Sequence, residues 1–241
     1  MAAKKIIIIG ATSGIGAAMA TLYAQQNHVV GISGRRNERL LQLQQQYPAQ
    51  IHIECFDVMG NYNNDHLKAL IAKTGGMDLL IYNAGYGEIS KTLDPVIEKE
   101  TTLTNVNGFI EIVAFAFNYF TNQGYGQIAA TSSIASKRGN SMAPAYSASK
   151  AFMSTYMEGL YMKAKKTALS QLYITDVQPG FVATKMAKGT GRFWEAPVEK
   201  AAVQIMAAIE KKKIRVYITK RWWLFGKLMP LLPNFIYHRI G

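Results

Sequence analysis

Short apolar runs recur along the chain, each followed by a turn and then by a longer stretch with apolar residues at helical spacing. Lys5–Ile9, Val29–Ser33, Ile51–Phe56, Met77–Tyr82, Gln127–Thr131, Leu172–Val177 and Arg215–Ile218 predict strands. Between them, Ala17–Gln26, Glu38–Tyr47, His66–Lys73, Glu98–Phe120, Ala145–Lys166 and Pro197–Lys211 predict helices. Strands that are apolar throughout and alternate with helices call for a parallel sheet covered on both faces. Right-handed crossovers then give a doubly wound α/β fold of about seven strands. No linker or low-complexity run interrupts the theme before about residue 221. Residues 1–220 therefore predict one domain, and residues 221–241 a separate short tail.

Composition changes this picture little. Of 241 residues, 49% are hydrophobic, enough to bury a sheet under two helical layers. Cys55 is the only cysteine, which excludes an intrachain disulfide and a cysteine-based zinc site. No metal is expected, and a reducing, cytoplasmic setting fits best. Two lysines and four isoleucines before Gly10 are too few apolar residues for a signal-peptide core and read as the first strand.

Charge adds more. The formal net charge is +12, and from Glu210 to Gly241 eight basic residues face one acid. Nucleic acid, an anionic membrane and phosphorylated ligands all suit such a balance. No nucleic-acid motif accompanies it, so no nucleic-acid partner is expected.

The first strand runs into Gly10-Ala11-Thr12-Ser13-Gly14-Ile15-Gly16, which opens a helix. Glycines there let the backbone turn tightly and approach a diphosphate, while the helix N-terminus offers free N–H groups. This strand–loop–helix junction favours a Rossmann-type fold with a bound nucleotide over a glycine-rich loop with no ligand. The second strand ends in Ser33-Gly34-Arg35-Arg36. An acid at that tip would hold the ribose 2′-hydroxyl of NAD; two arginines instead favour the 2′-phosphate of NADP(H), with Arg35 the stronger candidate.

Tyr146 and Lys150 lie one helical turn apart on one face, with Ser133 just beyond the fifth strand. An ammonium close to the phenol, with the positive nicotinamide of the oxidised cofactor, is expected to lower the tyrosine pKa from ~10 and make it a usable acid or base. Tyr161 and Lys165 share the spacing, but Ala148 stands where a partner serine would be.

Gly10-x-x-x-Gly14-x-Gly16, Asn83-Ala84-Gly85, Asn105, Ser133, Tyr146-x-x-x-Lys150 and Pro179-Gly180 together resemble the short-chain dehydrogenase/reductase family in order and spacing, over roughly residues 4 to 220. The resemblance implies that Tyr146 is the acid/base, that Lys150 holds the nicotinamide ribose, and that Ser133 hydrogen-bonds the substrate oxygen. It further implies that Asn105 anchors a water of the proton relay. Asp57 and Val58 would contact adenine, Ile15 the diphosphate, and Asn83, with Ala84 and Gly85, the cofactor side of the central sheet. Pro179, Gly180, Val182 and Thr184 would meet the nicotinamide amide. Ile9 and Tyr82 replace a threonine and an asparagine common in the family. A homo-oligomer, dimer or tetramer, is implied, built on the helices that follow Asn105 and Tyr146. The function expected is hydride transfer between NADP(H) and a hydrophobic ketone, aldehyde or secondary alcohol. The alternative is a non-catalytic NADP(H)-binding protein with a regulatory or membrane-docking role.

Lys185–Ala196, polar and glycine-containing, is the expected lid over the substrate, with Phe193 and Trp194 either closing on it or packing on the domain. Ser141, Met142 and Tyr86 are further pocket candidates. The tail, Arg221 to Arg239, mixes aromatics and leucines with flanking cations. Lys227, Pro230 and Pro233 argue against a transmembrane helix, leaving a peripheral membrane contact or packing on protein.

Overall fold

The structure is a computed structural model that describes residues 3–167, 171–184 and 193–239. Seven strands form one sheet, all parallel: β1 (Lys5–Ile9), β2 (Val29–Gly34), β3 (Ile51–Cys55), β4 (Leu79–Tyr82), β5 (Tyr125–Thr131), β6 (Gln171–Pro179) and β7 (Arg215–Ile218). Their order is β3-β2-β1-β4-β5-β6-β7, so the chain winds outward one way from β1 and then the other way from β4. The reversal opens a crevice at the carboxyl ends of the central strands, where ligands of such sheets bind.

Alternation of side chains along β1 builds two cores. Ile6 and Ile8 point into a layer with α1 (Gly14–Gln25), α2 (Asn37–Gln46) and α7 (Val198–Glu210). Ile7 and Ile9 point into the opposite layer, with α3 (Asn63–Thr74), α5 (Gly108–Gln123) and α6 (Pro144–Lys166). All four isoleucines are fully buried. Register then brings the site together: Ile9 lies beside Ser33 and Tyr82, Tyr82 beside Ala130, Thr131 beside Val177, and Pro179 beside Ile218. The loops leaving β1, β4, β5 and β6 therefore emerge side by side.

Two elements differ from the reading of the sequence. The single helix expected over Glu98–Phe120 is continuous from Pro95 to Gln123 but widens between α4 (Pro95–Thr102) and α5 into a π-helical turn (Leu103–Asn107). Apolar spacing cannot reveal the turn, because tertiary contacts accompany it. A Cβ on Gly108 would fall 2.4 Å from the Val58 carbonyl, and the Tyr82 hydroxyl donates to the Thr104 carbonyl at 2.8 Å. The other is the tail. Its first helix, α8 (Trp222–Leu228), sinks Trp222 to 1% exposure in the domain, so the core runs on past residue 221. A 3-10 turn (Met229–Leu231) and α9 (Asn234–Tyr237) follow.

Candidate active site

The phosphate end is built from backbone. Gly10 has φ +86°, and a Cβ there would lie 2.5 Å from the backbone of Ala84. On Gly16 a Cβ would meet the Gly10 carbonyl at 2.2 Å, so the loop folds too tightly for side chains. Asn83 ties it down: its Nδ2 donates to the Gly10 carbonyl (3.2 Å), while Thr131 Oγ1 donates to its Oδ1 (3.1 Å). Ala84 and Gly85 follow half-buried, and Ile15 is buried beneath the loop. Ser13, at the N-cap of α1, makes no capping bond with its side chain, so the first-turn N–H groups have no side-chain acceptor from it.

The two arginines behave differently. Arg36 Nη2 donates to Thr12 Oγ1 (2.6 Å) and Ser13 Oγ (2.7 Å), laying its guanidinium along the glycine loop. Arg35 instead pairs with Asp57 at 3.6 Å, an exposed contact of little energetic weight. Sequence favoured Arg35; the loop itself holds Arg36. The donor set suits a nicotinamide dinucleotide: glycines that no Cβ could replace, a helix start with no side-chain cap and two guanidinium groups. Asp57 also accepts from the Met59 N–H (3.0 Å), and Val58 is buried beside it.

At the catalytic end, Ser133 leaves β5 and caps a 3-10 turn (Ile134–Lys137), its Oγ accepting from the Ala135 N–H at 3.1 Å. Tyr146, in the first turn of α6, is hydrogen-bonded to the Ser133 side chain. Lys150 follows one turn later, 3% exposed, with Nζ donating to the Thr131 carbonyl at 2.9 Å and 5.8 Å from the Tyr146 ring centroid. Tyr161 and Lys165 stand at almost the same separation, 5.7 Å, but Lys165 is exposed. Local geometry is common to both pairs; burial and the Thr131 carbonyl distinguish them.

Burial also corrects one expectation. The Tyr146 hydroxyl sits above its ordinary value rather than below it, because desolvation outweighs the Ser133 hydrogen bond that pulls the other way. Lys150, buried beside it, is itself pushed down to about 8, with the Asp176 carboxylate opposing the shift. An ammonium that carries its charge less readily lowers a neighbouring phenol less.

Asn105 lies in the π-helical turn, fully buried. Its Nδ2 donates to the Tyr86 carbonyl (2.7 Å) and Ser149 Oγ (2.9 Å), and its Oδ1 accepts from the Tyr86 N–H (2.9 Å). The side chain thus fastens the loop after β4 to α6. Sequence reasoning missed Ser149 and Thr131, whose partners are distant in the chain. It also missed Gly87, where a Cβ would fall 2.3 Å from the Tyr146 ring. Asp176 was read only as part of a strand. It accepts from Ser132 Oγ (2.5 Å), Ser154 Oγ (2.7 Å), Gln178 Nε2 (2.6 Å) and Arg215 Nε (3.3 Å), joining β5, α6 and β7 behind the site.

Pro179 and Gly180 end β6, where the Gly180 N–H donates to the Ile218 carbonyl at 2.6 Å. Val182 is buried and bridges Ala196, which pins both ends of the expected lid. Thr184 approaches the glycine loop: a Cβ on Gly14 would lie 3.2 Å from its methyl group. Lid residues 185–192 lie outside the described residues. Phe193 and Trp194 rest 5.2 and 5.7 Å from the Trp222 ring, packing on the domain while half exposed. Ser141 lines a cavity of 380 Å³ with Arg138, Gly139, Tyr237 and His238. Met142 is exposed, and its carbonyl accepts from the Ser90 N–H at 2.8 Å.

Comparison with known proteins agrees with this geometry. The short chain dehydrogenase family matches residues 4–193. An uncharacterized oxidoreductase of Staphylococcus epidermidis is 30% identical over 190 residues, covering 78% of this chain and 81% of its own. Among solved structures, 3-ketoacyl-(acyl-carrier-protein) reductase from Brucella melitensis, complexed with NADH, superposes with a TM-score of 0.78 at 17% identity over 89% of this chain and 96% of its own. The closed form of serine dehydrogenase complexed with NADP+ gives 0.78 at 23% identity over 88% and 92%. The family match spans most of the chain and lies on the sheet order and loop placement described above, so this protein belongs to the short-chain dehydrogenase/reductase family of nicotinamide-dependent oxidoreductases.

Proposed function

We propose that this protein is an NADPH-dependent reductase of a hydrophobic ketone or aldehyde, with Tyr146 as the proton donor. The observation that carries the reading is the cluster of half-buried Tyr146 with buried Ser133 and Lys150 at the mouth of the crevice. Bound there, the nicotinamide would supply or accept the hydride. The rest is done by the chain. Ser133 Oγ donates to the substrate oxygen and orients it. Tyr146 gives that oxygen its proton, and a phenol held above its ordinary value keeps the proton until the oxygen demands it. Lys150 would hold the ribose hydroxyls and, with Nζ 5.8 Å from the Tyr146 ring centroid, lend positive charge to the phenolate left behind. Asn105 fixes the loop after β4, and with it the wall facing Tyr146.

The preference for NADPH rests on Arg35 and Arg36 at the tip of β2, where there is no carboxylate to receive a ribose 2′-hydroxyl. An apolar substrate suits the accessible aromatic pair Phe181 and Phe193, 5.9 Å apart edge to face, that follows β6.

Titration with NADPH and NADH, followed by fluorescence, tests the cofactor reading in the native chain and in Arg35→Ala and Arg36→Ala. Tighter binding of NADPH, lost in either variant, supports it; equal binding of the two cofactors by the native chain overturns it. A carbonyl screen with Tyr146→Phe tests the chemistry. Loss of about 10²-fold or more in kcat with cofactor binding intact is expected, and retained turnover would refute the role of Tyr146.

A further inference from the structure

Helix α8 and the turns after it have two faces. The inner face is anchored: Trp222 lies edge-on to Phe181 at 5.5 Å and to Phe225 at 5.3 Å, and a Cβ on Gly226 would fall 2.3 Å from the Tyr217 ring. Beyond α8 the chain is clamped by Arg138, whose guanidinium donates to the Leu232 carbonyl and to Asn234 Oδ1, each at 2.9 Å, and covers the Tyr237 ring at 4.3 Å. The Tyr237 hydroxyl donates to the Gly139 carbonyl. The segment is thus held in one orientation against the domain.

Among the described residues the outer face has no such partners. Trp223 and Leu224 are each 55% exposed, Leu228 51%, Leu231 77% and Phe235 69%. Lys220, Arg221, Lys227 and Arg239 surround them, all exposed, and no acid occurs between Lys211 and Gly241. A contiguous apolar surface of this kind on a soluble domain marks a contact.

We propose that this face docks on an anionic lipid bilayer, with Trp223, Leu224, Leu228, Leu231 and Phe235 entering the headgroup layer and the four cations meeting lipid phosphates. Charge selects this occupant. A two-fold interface between copies would set the same cationic rim against itself, with no acidic residue of the segment to offset the repulsion. A lipid surface supplies the missing negative charge and an apolar layer at the matching depth. Among the described residues no helix is long and apolar enough to cross a membrane, so the contact is peripheral. The inner face of the same helix packs on the loop after β6, where a Cβ on Gly180 would lie 2.0 Å from the Trp222 ring. Docking therefore puts the bilayer next to the crevice.

The test uses the full chain with phosphatidylcholine vesicles, with and without one third phosphatidylglycerol, read by co-sedimentation and by tryptophan fluorescence. Two variants accompany it, Trp223→Ser/Leu224→Ser and Lys220→Ala/Arg221→Ala/Lys227→Ala. All substituted side chains are exposed, so both variants should keep the native Tm and nicotinamide binding. Binding to the anionic vesicles alone is expected, weakened by salt. It should be abolished by the apolar variant and fall about 100-fold in the charge variant, roughly fivefold per cation removed. Three results overturn the proposal. They are no binding to anionic vesicles, binding that neither variant weakens, or self-association of the native chain that the apolar variant abolishes while vesicle binding persists.

Discussion

Replacing Trp222 and Trp223 by alanine, one at a time, compares two adjacent indoles of one helix in opposite surroundings. Trp222 is 1% exposed and makes edge contacts with Phe181, Trp194 and Phe225 at 5.5, 5.7 and 5.3 Å. Truncating a buried Trp costs about 3–5 kcal/mol through lost transfer energy and the cavity left behind. The aromatic contacts place the loss toward the upper end. One feature opposes it: Trp222 Nε1 is buried without a hydrogen-bond partner among the described residues, a desolvation cost of about 1–3 kcal/mol that truncation relieves. A net loss of about 3 kcal/mol remains. For a chain of this size that lowers Tm by about 6–12 °C. Trp223→Ala, at 55% exposure, should stay within about 0.5 kcal/mol, or roughly 2 °C. Thermal unfolding followed by far-UV circular dichroism reads both. Equal Tm values would refute the reasoning, since they would mean that Trp222 is not a core residue and that the domain ends before α8. A Trp222→Phe variant provides a check: it removes the unpaired N–H and keeps an aromatic ring, so it should lose less than half of what alanine loses.

Other consequences are equally measurable. Gly87→Ala would drive a methyl group into the Tyr146 ring, and kcat should fall at least 10-fold while nicotinamide binding, seen by fluorescence titration, is retained. Lys150 titrates near 8 in the fold against ~10.4 in an unfolded chain, so folding penalises its charged form; stability should rise between about pH 8 and 10.5, on the order of 3 kcal/mol at most. Urea midpoints across that window should lose this rise in Lys150→Met, and an equal slope in the variant would contradict the assignment. Asp176→Ala leaves Arg215, Ser132 and Ser154 without their shared acceptor and should cost about 3–5 kcal/mol in urea unfolding. In Asp176→Asn, which removes the charge that supports the Lys150 ammonium, the same pH-dependent rise should begin at lower pH.

What the amino-acid sequence determines by itself is whatever depends on local period and on residue type at a turn. Four isoleucines in β1 can only be buried on both faces of a sheet, and glycine at 10 and 16 is required where the backbone closes on itself. The order of strands and helices, the glycine loop and the Tyr146–Lys150 spacing were legible for that reason. The tertiary structure decided everything that depends on which distant segments meet. Lys150 and Lys165 stand at nearly the same distance from their tyrosines, and only the Thr131 carbonyl and the surrounding core make the first a buried, weakly basic amine. Spacing suggested a lowered tyrosine pKa, but desolvation, a property of the packed site, raised it. The π-helical turn that sets Asn105 against Tyr86 and Ser149 leaves no trace in an apolar repeat, because it answers contacts tens of residues away. In the tail, composition is the same for both indoles of Trp222-Trp223. The hundred-degree turn between successive helical positions sends one into the core and leaves the other facing solvent.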